Sequence, residues 1–217
     1  SILFFYSLLF CNCKRAAPAL FELLSPAKTG VRFSNNLSES DSLNILNYVY
    51  YYNGGGVGIA DFNNDGLEDI FFTGNETSCR LYLNKGKLTF EDVTQTSGVQ
   101  TTQWCTGVSI ADVNNDGWMD IYVCCAGYAQ PKRRKNLLFI NQGANANDAR
   151  QIKFIESASA YGLADTAYST QSAFFDYDRD GDLDLYVMNH ANERESVNTP
   201  LPKKTHGEGA SNDHLYR

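Results

Sequence analysis

An all-β fold built from repeated antiparallel strands is predicted by three observations. A nine-residue acidic loop occurs three times with identical spacing. Short apolar, β-branched and aromatic runs flank every copy, as strands joined by a tight polar turn do. The similarity then continues past each loop for a unit of about 50–60 residues, enough for four strands and the size of one β-propeller blade.

The loops are Asp61-Phe-Asn-Asn-Asp-Gly-Leu-Glu-Asp69, Asp112-Val-Asn-Asn-Asp-Gly-Trp-Met-Asp120 and Asp176-Tyr-Asp-Arg-Asp-Gly-Asp-Leu-Asp184. Val57–Ala60, Val108–Ala111 and Ser172–Phe175 precede them, and Ile70–Phe72, Ile121–Val123 and Leu185–Val187 follow. Further on, Leu81-Tyr-Leu-Asn84 matches Leu138-Phe-Ile-Asn141, Phe90-Glu-Asp92 matches Phe154-Ile-Glu156, and Gly98-Val99 matches Gly162-Leu163. Leu215-Tyr216-Arg217 stands where a third such strand falls due. The second copy is longer by about 13 residues, read as a loop insertion in the region of Gln142–Ile152. The organisation read from this is an anchor segment at 1–13, a leading segment with first strands at 14–53, and repeats at 54–99, 100–163 and 164–217, the third incomplete. Three blades do not close a ring, which takes 4–8, so the expected object is about three blades of a larger propeller, with open sheet edges that favour association.

Each loop offers oxygen ligands at positions 1, 3 and 5 and glycine at 6, the pattern that wraps a hard cation. The candidate ligands are Asp61, Asn63, Asp65, the Leu67 carbonyl and Asp69; Asp112, Asn114, Asp116, the Trp118 carbonyl and Asp120; and Asp176, Asp178, Asp180, Asp182 through its carbonyl, and Asp184. An EF-hand would close with a bidentate Glu at position 12, but Phe72, Val123 and Val187 stand there. The closing carboxylate is at position 9 instead. Calcium is expected over magnesium, because many oxygens on a flexible loop suit its coordination. Turns without metal are the competing reading, since Asn-Asp-Gly is itself a turn signal, but converging carboxylates repel one another unless a cation sits among them. Three Ca²⁺ would bring the formal charge from −7 to −1, and ten of the 25 acidic residues are candidate side-chain ligands in these loops.

Together the loops, Asn53-Gly-Gly-Gly-Val-Gly-Ile-Ala-Asp-Phe-Asn-Asn-Asp-Gly66, Leu81–Asn84 and Phe90-Glu-Asp-Val-Thr94 resemble FG-GAP/VCBS repeats, as in integrin α-chain propellers, and more closely bacterial surface proteins of the ASPIC/UnbV, cartilage-acidic-protein-like type. The resemblance covers about residues 29–217. It implies a calcium-bearing propeller of about seven blades, a binding rather than catalytic role, a glycan or protein ligand outside the cell, and partnership with an outer-membrane uptake complex. Ser172, Ala173 and Phe174 depart from the Gly and Val of the first two copies. An extracellular carbohydrate-active enzyme, its active site in blades outside this stretch, is the alternative.

The apolar run Ser1–Phe10 is too short to span a bilayer, which takes about 18 residues. Followed by Cys11-Asn-Cys13-Lys-Arg15 it resembles a lipoprotein signal. Cys13 is the expected acylation site and Cys11 the other candidate, giving an exported chain on the outer membrane or cell surface, held there by lipid alone. Cys79, Cys105, Cys124 and Cys125 lack zinc spacing; a bridge from Cys105 to Cys124 or Cys125 and free buried thiols are both compatible with their positions.

The acid excess excludes a nucleic-acid surface. Lys132-Arg-Arg-Lys135 is read as a solvated loop, Tyr48–Tyr52 as a strand packing rings on both faces, with a sugar-stacking platform as the alternative, and Pro200–Gly209 as a polar surface loop. Of His190, His206 and His214, only His190, just after the third hairpin, is placed to touch a ligand, and no nucleophile elbow accompanies any of them.

Overall fold

A computed structural model describes residues 19–145, 148–191 and 211–217. Cys11, Cys13, Pro200–Gly209 and His206 lie outside the described residues. Eleven strands form three antiparallel sheets, each a meander in chain order. The first holds β1 (Val57–Ala60), β2 (Asp69–Phe72), β3 (Arg80–Asn84) and β4 (Phe90–Asp92). The second holds β5 (Trp104–Ala111), β6 (Asp120–Ala126), β7 (Leu137–Asn145) and β8 (Asp148–Glu156). In the third, β9 (Ser169–Phe175), β10 (Asp184–Asn189) and β11 (His214–Tyr216) pair in that order.

Every acidic loop joins the first two strands of its sheet, and the register places its first and last residues at the hairpin neck: Ala60 pairs with Asp69, Ala111 with Asp120, Phe175 with Asp184. The third pre-loop strand forms despite its altered sequence. Ser109 Oγ donates to Ser172 O at 2.5 Å and lies 2.9 Å from Ser172 Oγ, so the serine replaces a side-chain contact with hydrogen bonds to the neighbouring sheet.

The sheets pack face to face. Phe71, Leu81 and Leu83 of the first meet Ile121, Val123, Leu137, Phe139 and Phe154 of the second. On the other face of the second sheet, Tyr122, Cys124, Leu138 and Ile140 meet Leu185 and Val187 of the third. This explains β6, where alternate side chains enter two different cores and every residue is buried. The outward faces of the flanking sheets stay open: Val57 and Ile59 at one side, Tyr186, Met188 and Leu215 at the other.

The first strands of the sheets lie side by side, β1 beside β5 and β5 beside β9. Thr73 Oγ1 donates to Thr106 O at 2.5 Å, and Thr106 Oγ1 donates to Ser169 O at 2.7 Å. Close approach here needs small residues: a Cβ on Gly107 would stand 2.8 Å from Gln171 Cα.

Three expectations are corrected. The extra length of the second copy is not one loop. Leu138 follows Asp120 by 18 residues where Leu81 follows Asp69 by 12, enlarging the β6–β7 connection, while the remaining residues extend the β7–β8 hairpin into two nine-residue strands. The leading segment contributes no strand among residues 19–56. Helix α1 (Pro26–Thr29) is capped by Ser25, and the chain then runs along the first sheet, with Arg32 N–H on Tyr82 Oη and Phe33 stacked on Phe72 at 5.0 Å. Tyr48–Tyr52 forms turns rather than a strand, because Asn44 and Tyr48 carbonyls take the amides of Asn47, Tyr48 and Tyr51. Tyr48 and Tyr51 are thereby buried against Trp104, Ala126 and Tyr168, and Tyr52 is exposed.

Candidate metal centre

In all three loops the backbone turns twice into left-handed space, at position 4 (Asn64 φ 55°, Asn115 φ 56°, Arg179 φ 64°) and at the position-6 glycine (Gly66 φ 86°, Gly117 φ 88°, Gly181 φ 97°). Asparagine tolerates the first of these, and glycine adopts the second without penalty. Arg179 occupies the position where the first two loops have asparagine.

That backbone aims amides at the carboxylates. Asp61 Oδ1 accepts from Asp65 N (3.0 Å) and its Oδ2 from Gly66 N (2.7 Å); Asp112 does the same for Asp116 N (3.0 Å) and Gly117 N (2.7 Å), and Asp176 for Asp180 N and Gly181 N (both 3.2 Å). The position-5 carboxylates accept from the position-7 amides: Leu67 N (2.9 Å), Trp118 N (2.9 Å) and Asp182 N (3.3 Å). Asn63 and Asn114 turn their Nδ2 toward Asp65 and Asp116, at 3.0 and 2.8 Å.

The position-9 aspartates are buried and serve as braces as well as candidate ligands. Asp69 accepts from Phe62 N (3.0 Å) and Asn84 N (2.8 Å), and Asp120 from Val113 N (3.0 Å) and Asn141 N (2.8 Å), so one carboxylate ties the loop to the third strand of its sheet. Burial pushes the Asp69 carboxyl up to about 6 and raises that of Asp120, since desolvation outweighs the amides that hold the charge. Asp184 accepts from Tyr177 N at 2.8 Å, but its Oδ1 is buried without a partner.

The donor set fits a hard cation best in the third loop. Carboxylate oxygens of Asp176, Asp178 and Asp184 lie within 4.8 Å of one another, and partial desolvation with the charges of Asp180 and Asp184 raises the Asp178 carboxyl. Three acidic groups drawn together around an orphaned buried oxygen form the all-oxygen set that Ca²⁺ takes. Arg217 answers part of that charge, at 3.3 Å from Asp178 and 3.2 Å from Asp180. Among the described residues, the first two loops do not gather three carboxylates so closely; an amide replaces the third-position acid in both.

Asn84 and Asn141 were missed as loop residues, although both recur at the same place in the repeat. Asn141 Nδ2 donates to Phe62 O (2.9 Å) and Met119 O (3.2 Å), and its Oδ1 accepts from Gly143 N (3.0 Å). Asn84 Nδ2 donates to Glu68 O at 2.9 Å. Asn141 therefore joins the first loop to the second sheet, and Asn64 Nδ2 donates to Gly117 O at 3.1 Å, so the first two loops touch. All three loops follow the first strand of their sheet and so share one end of the molecule.

One further reading changes, and one open alternative is decided. Arg134 is not solvated: it is buried, donating from Nε to Thr166 O and from Nη1 to Ala129 O (both 2.5 Å), with its guanidinium 4.2 Å from the Tyr168 ring centroid. The four cysteines described are free and buried, and Cys105 and Cys125 face each other across β5–β6 with sulfurs 3.9 Å apart.

Residues 61–123, which hold the first two acidic loops, match the FG-GAP-like repeat family. Over 198 residues the chain is 28% identical to cartilage acidic protein 1 of Xenopus tropicalis, an alignment covering 89% of this chain. The chain spans 28% of the length of that relative. No helix among the described residues is long and apolar enough to cross a membrane.

Proposed function

We propose that the chain is part of a calcium-stabilised β-propeller that binds glycan or protein ligands outside the cell. The carrying observation is the third loop, where three carboxylates converge around the unpartnered Asp184 Oδ1. Supporting it are the side-by-side inner strands, the sheets stacked in chain order, and the match of residues 61–123 to the FG-GAP-like repeat family. Calcium here is structural. Asp61, Asn63, Asp65 and Asp69, with the Leu67 carbonyl, would hold one ion; Asp112, Asn114, Asp116, Asp120 and the Trp118 carbonyl a second; Asp176, Asp178, Asp180, Asp184 and the Asp182 carbonyl a third. Each ion offsets two of its loop's negative charges and locks the hairpin neck between the first two strands.

In this reading the protein is a surface lipoprotein acylated at Cys13 or Cys11, serving as a binding accessory to an outer-membrane uptake complex rather than as an enzyme. Calcium titration by calorimetry tests the metal assignment. Asp65→Ala, Asp116→Ala and Asp180→Ala each remove about one ion per chain, and chelator lowers the melting temperature. Unchanged melting in excess chelator would sink the proposal. Turnover of a polysaccharide by the intact protein, abolished by a change outside the loops, would replace the binding role with the enzymatic one.

A further inference from the structure

At the end of β1, β5 and β9 opposite the acidic loops lies a cleft of about 310 Å³. Its floor is glycine-rich backbone, Gly54–Gly56 from the approach to β1 and Gly107 from β5, so main-chain groups lie within reach of an occupant. Its walls are Tyr48, Tyr50, Asn53, Thr106, Thr170 and Gln171. In a chain of net charge −7, the lining holds no Asp, Glu, Lys or Arg. The side-chain amides of Asn53 and Gln171 make no hydrogen bond among the described residues, and both residues are exposed at the mouth.

The aromatic wall is braced from behind. Tyr50 is half-buried, with His190 at 4.1 Å and Tyr48 at 6.0 Å between ring centroids. His190 is in turn packed by Tyr168 at 5.6 Å, and its backbone amide donates to Tyr168 O at 3.0 Å. Tyr50 is therefore a ring fixed on one side and available on the other. A braced ring in one lining with two free amides, without charge, suits a ligand with alternating C–H faces and hydroxyl groups. A phosphorylated or sulfated ligand would find no cation here, and an aliphatic one would strand the amides.

We infer that this cleft binds a neutral saccharide, with Tyr50 stacking on a sugar face and Asn53 and Gln171 hydrogen-bonding its hydroxyls. The inference rests on the binding role proposed above and gives that role a place and a ligand class, at the end of the molecule away from the metal loops. The test uses the intact protein on an array of neutral, acidic and sulfated oligosaccharides, followed by calorimetry with the neutral hits. Expected is binding of neutral oligosaccharides, weakened about tenfold or more by Tyr50→Ala and by Gln171→Ala, with unchanged melting temperature in the exposed Gln171→Ala variant. Saccharide binding that both variants retain would overturn the location while leaving the binding role intact. Binding of anionic glycans alone, or of none, would overturn the ligand class. Unchanged melting in excess chelator with saccharide affinity kept would sink the metal assignment and leave this inference standing, so the two proposals fail separately.

Discussion

His190 offers a stability measurement whose size follows from its surroundings. Both ring nitrogens are buried without a partner, and packing against Tyr48, Tyr50 and Tyr168 holds the imidazole's pKa down to about 4 from 6.5, through desolvation of the charged form. The folded value lies below the unfolded one for a base. The associated stability is therefore fully present above pH 6.5 and is lost as pH falls from 6.5 toward 4. Linkage between those two values gives a loss of about 2 kcal/mol at pH 5 and about 3 kcal/mol at pH 4; water reaching the partly exposed residue makes these upper limits. His190→Phe keeps a ring in the aromatic cluster and removes the titration. Urea denaturation of the intact protein with calcium in excess, at pH 7 and pH 5, should show wild type losing about 1–2 kcal/mol more than the variant. The carboxylates titrate in both proteins and cancel in the difference. At pH 7 the variant should match or exceed wild type, because two unsatisfied buried nitrogens are gone. A wild-type to variant difference that stays constant from pH 7 to pH 5, or an imidazole titrating near 6.5 by NMR, would refute the reasoning.

Asn141→Ala should destabilise by about 2–4 kcal/mol in urea denaturation, since it removes the partner of the buried Phe62 carbonyl, the part-buried Met119 carbonyl and the buried Gly143 amide; a loss below about 0.5 kcal/mol would show that the inter-sheet tie is not formed. The Cys79, Cys105, Cys124 and Cys125 thiols, whose pKa values burial helps to raise, should react with a thiol reagent only after denaturation, read by peptide mass spectrometry; prompt labelling of any of these four in the native protein, or a disulfide-linked peptide pair among them, would contradict the buried free state.

Much of the candidate site was readable from order along the chain. The acidic positions could be assigned because a hairpin loop is local: nine residues contain both strand ends, the turn glycine and the converging oxygens, and each copy repeats the same solution. The strands around them were equally visible in Val57–Ala60 and Ile70–Phe72, which carry the β-branched and aromatic residues of a half-buried sheet. What stayed hidden involves contacts between units. Arg134 reads as one of four basic residues on a loop, and only the third unit's Thr166 and Tyr168, more than 30 residues away, make it a buried clamp. Tyr48–Tyr52 has strand composition, yet the asparagines before it offer turn hydrogen bonds that win over an unpaired strand. The bracing role of Asp69 and Asp120, beside their candidacy as ligands, depends on amides of Asn84 and Asn141 that come 15 and 21 residues later.

The sequence by itself determined the all-β character, the three loops and their oxygen donors, because each rests on short-range spacing and turn chemistry that one segment contains. Only the tertiary structure decided which loop gathers its carboxylates most closely, how sheets share two cores across β6, and that glycines 50 to 60 residues apart form one uncharged cleft with Tyr50. Those outcomes depend on how neighbouring sheets approach one another, a matter of side-chain volume and non-local packing that no single repeat encodes.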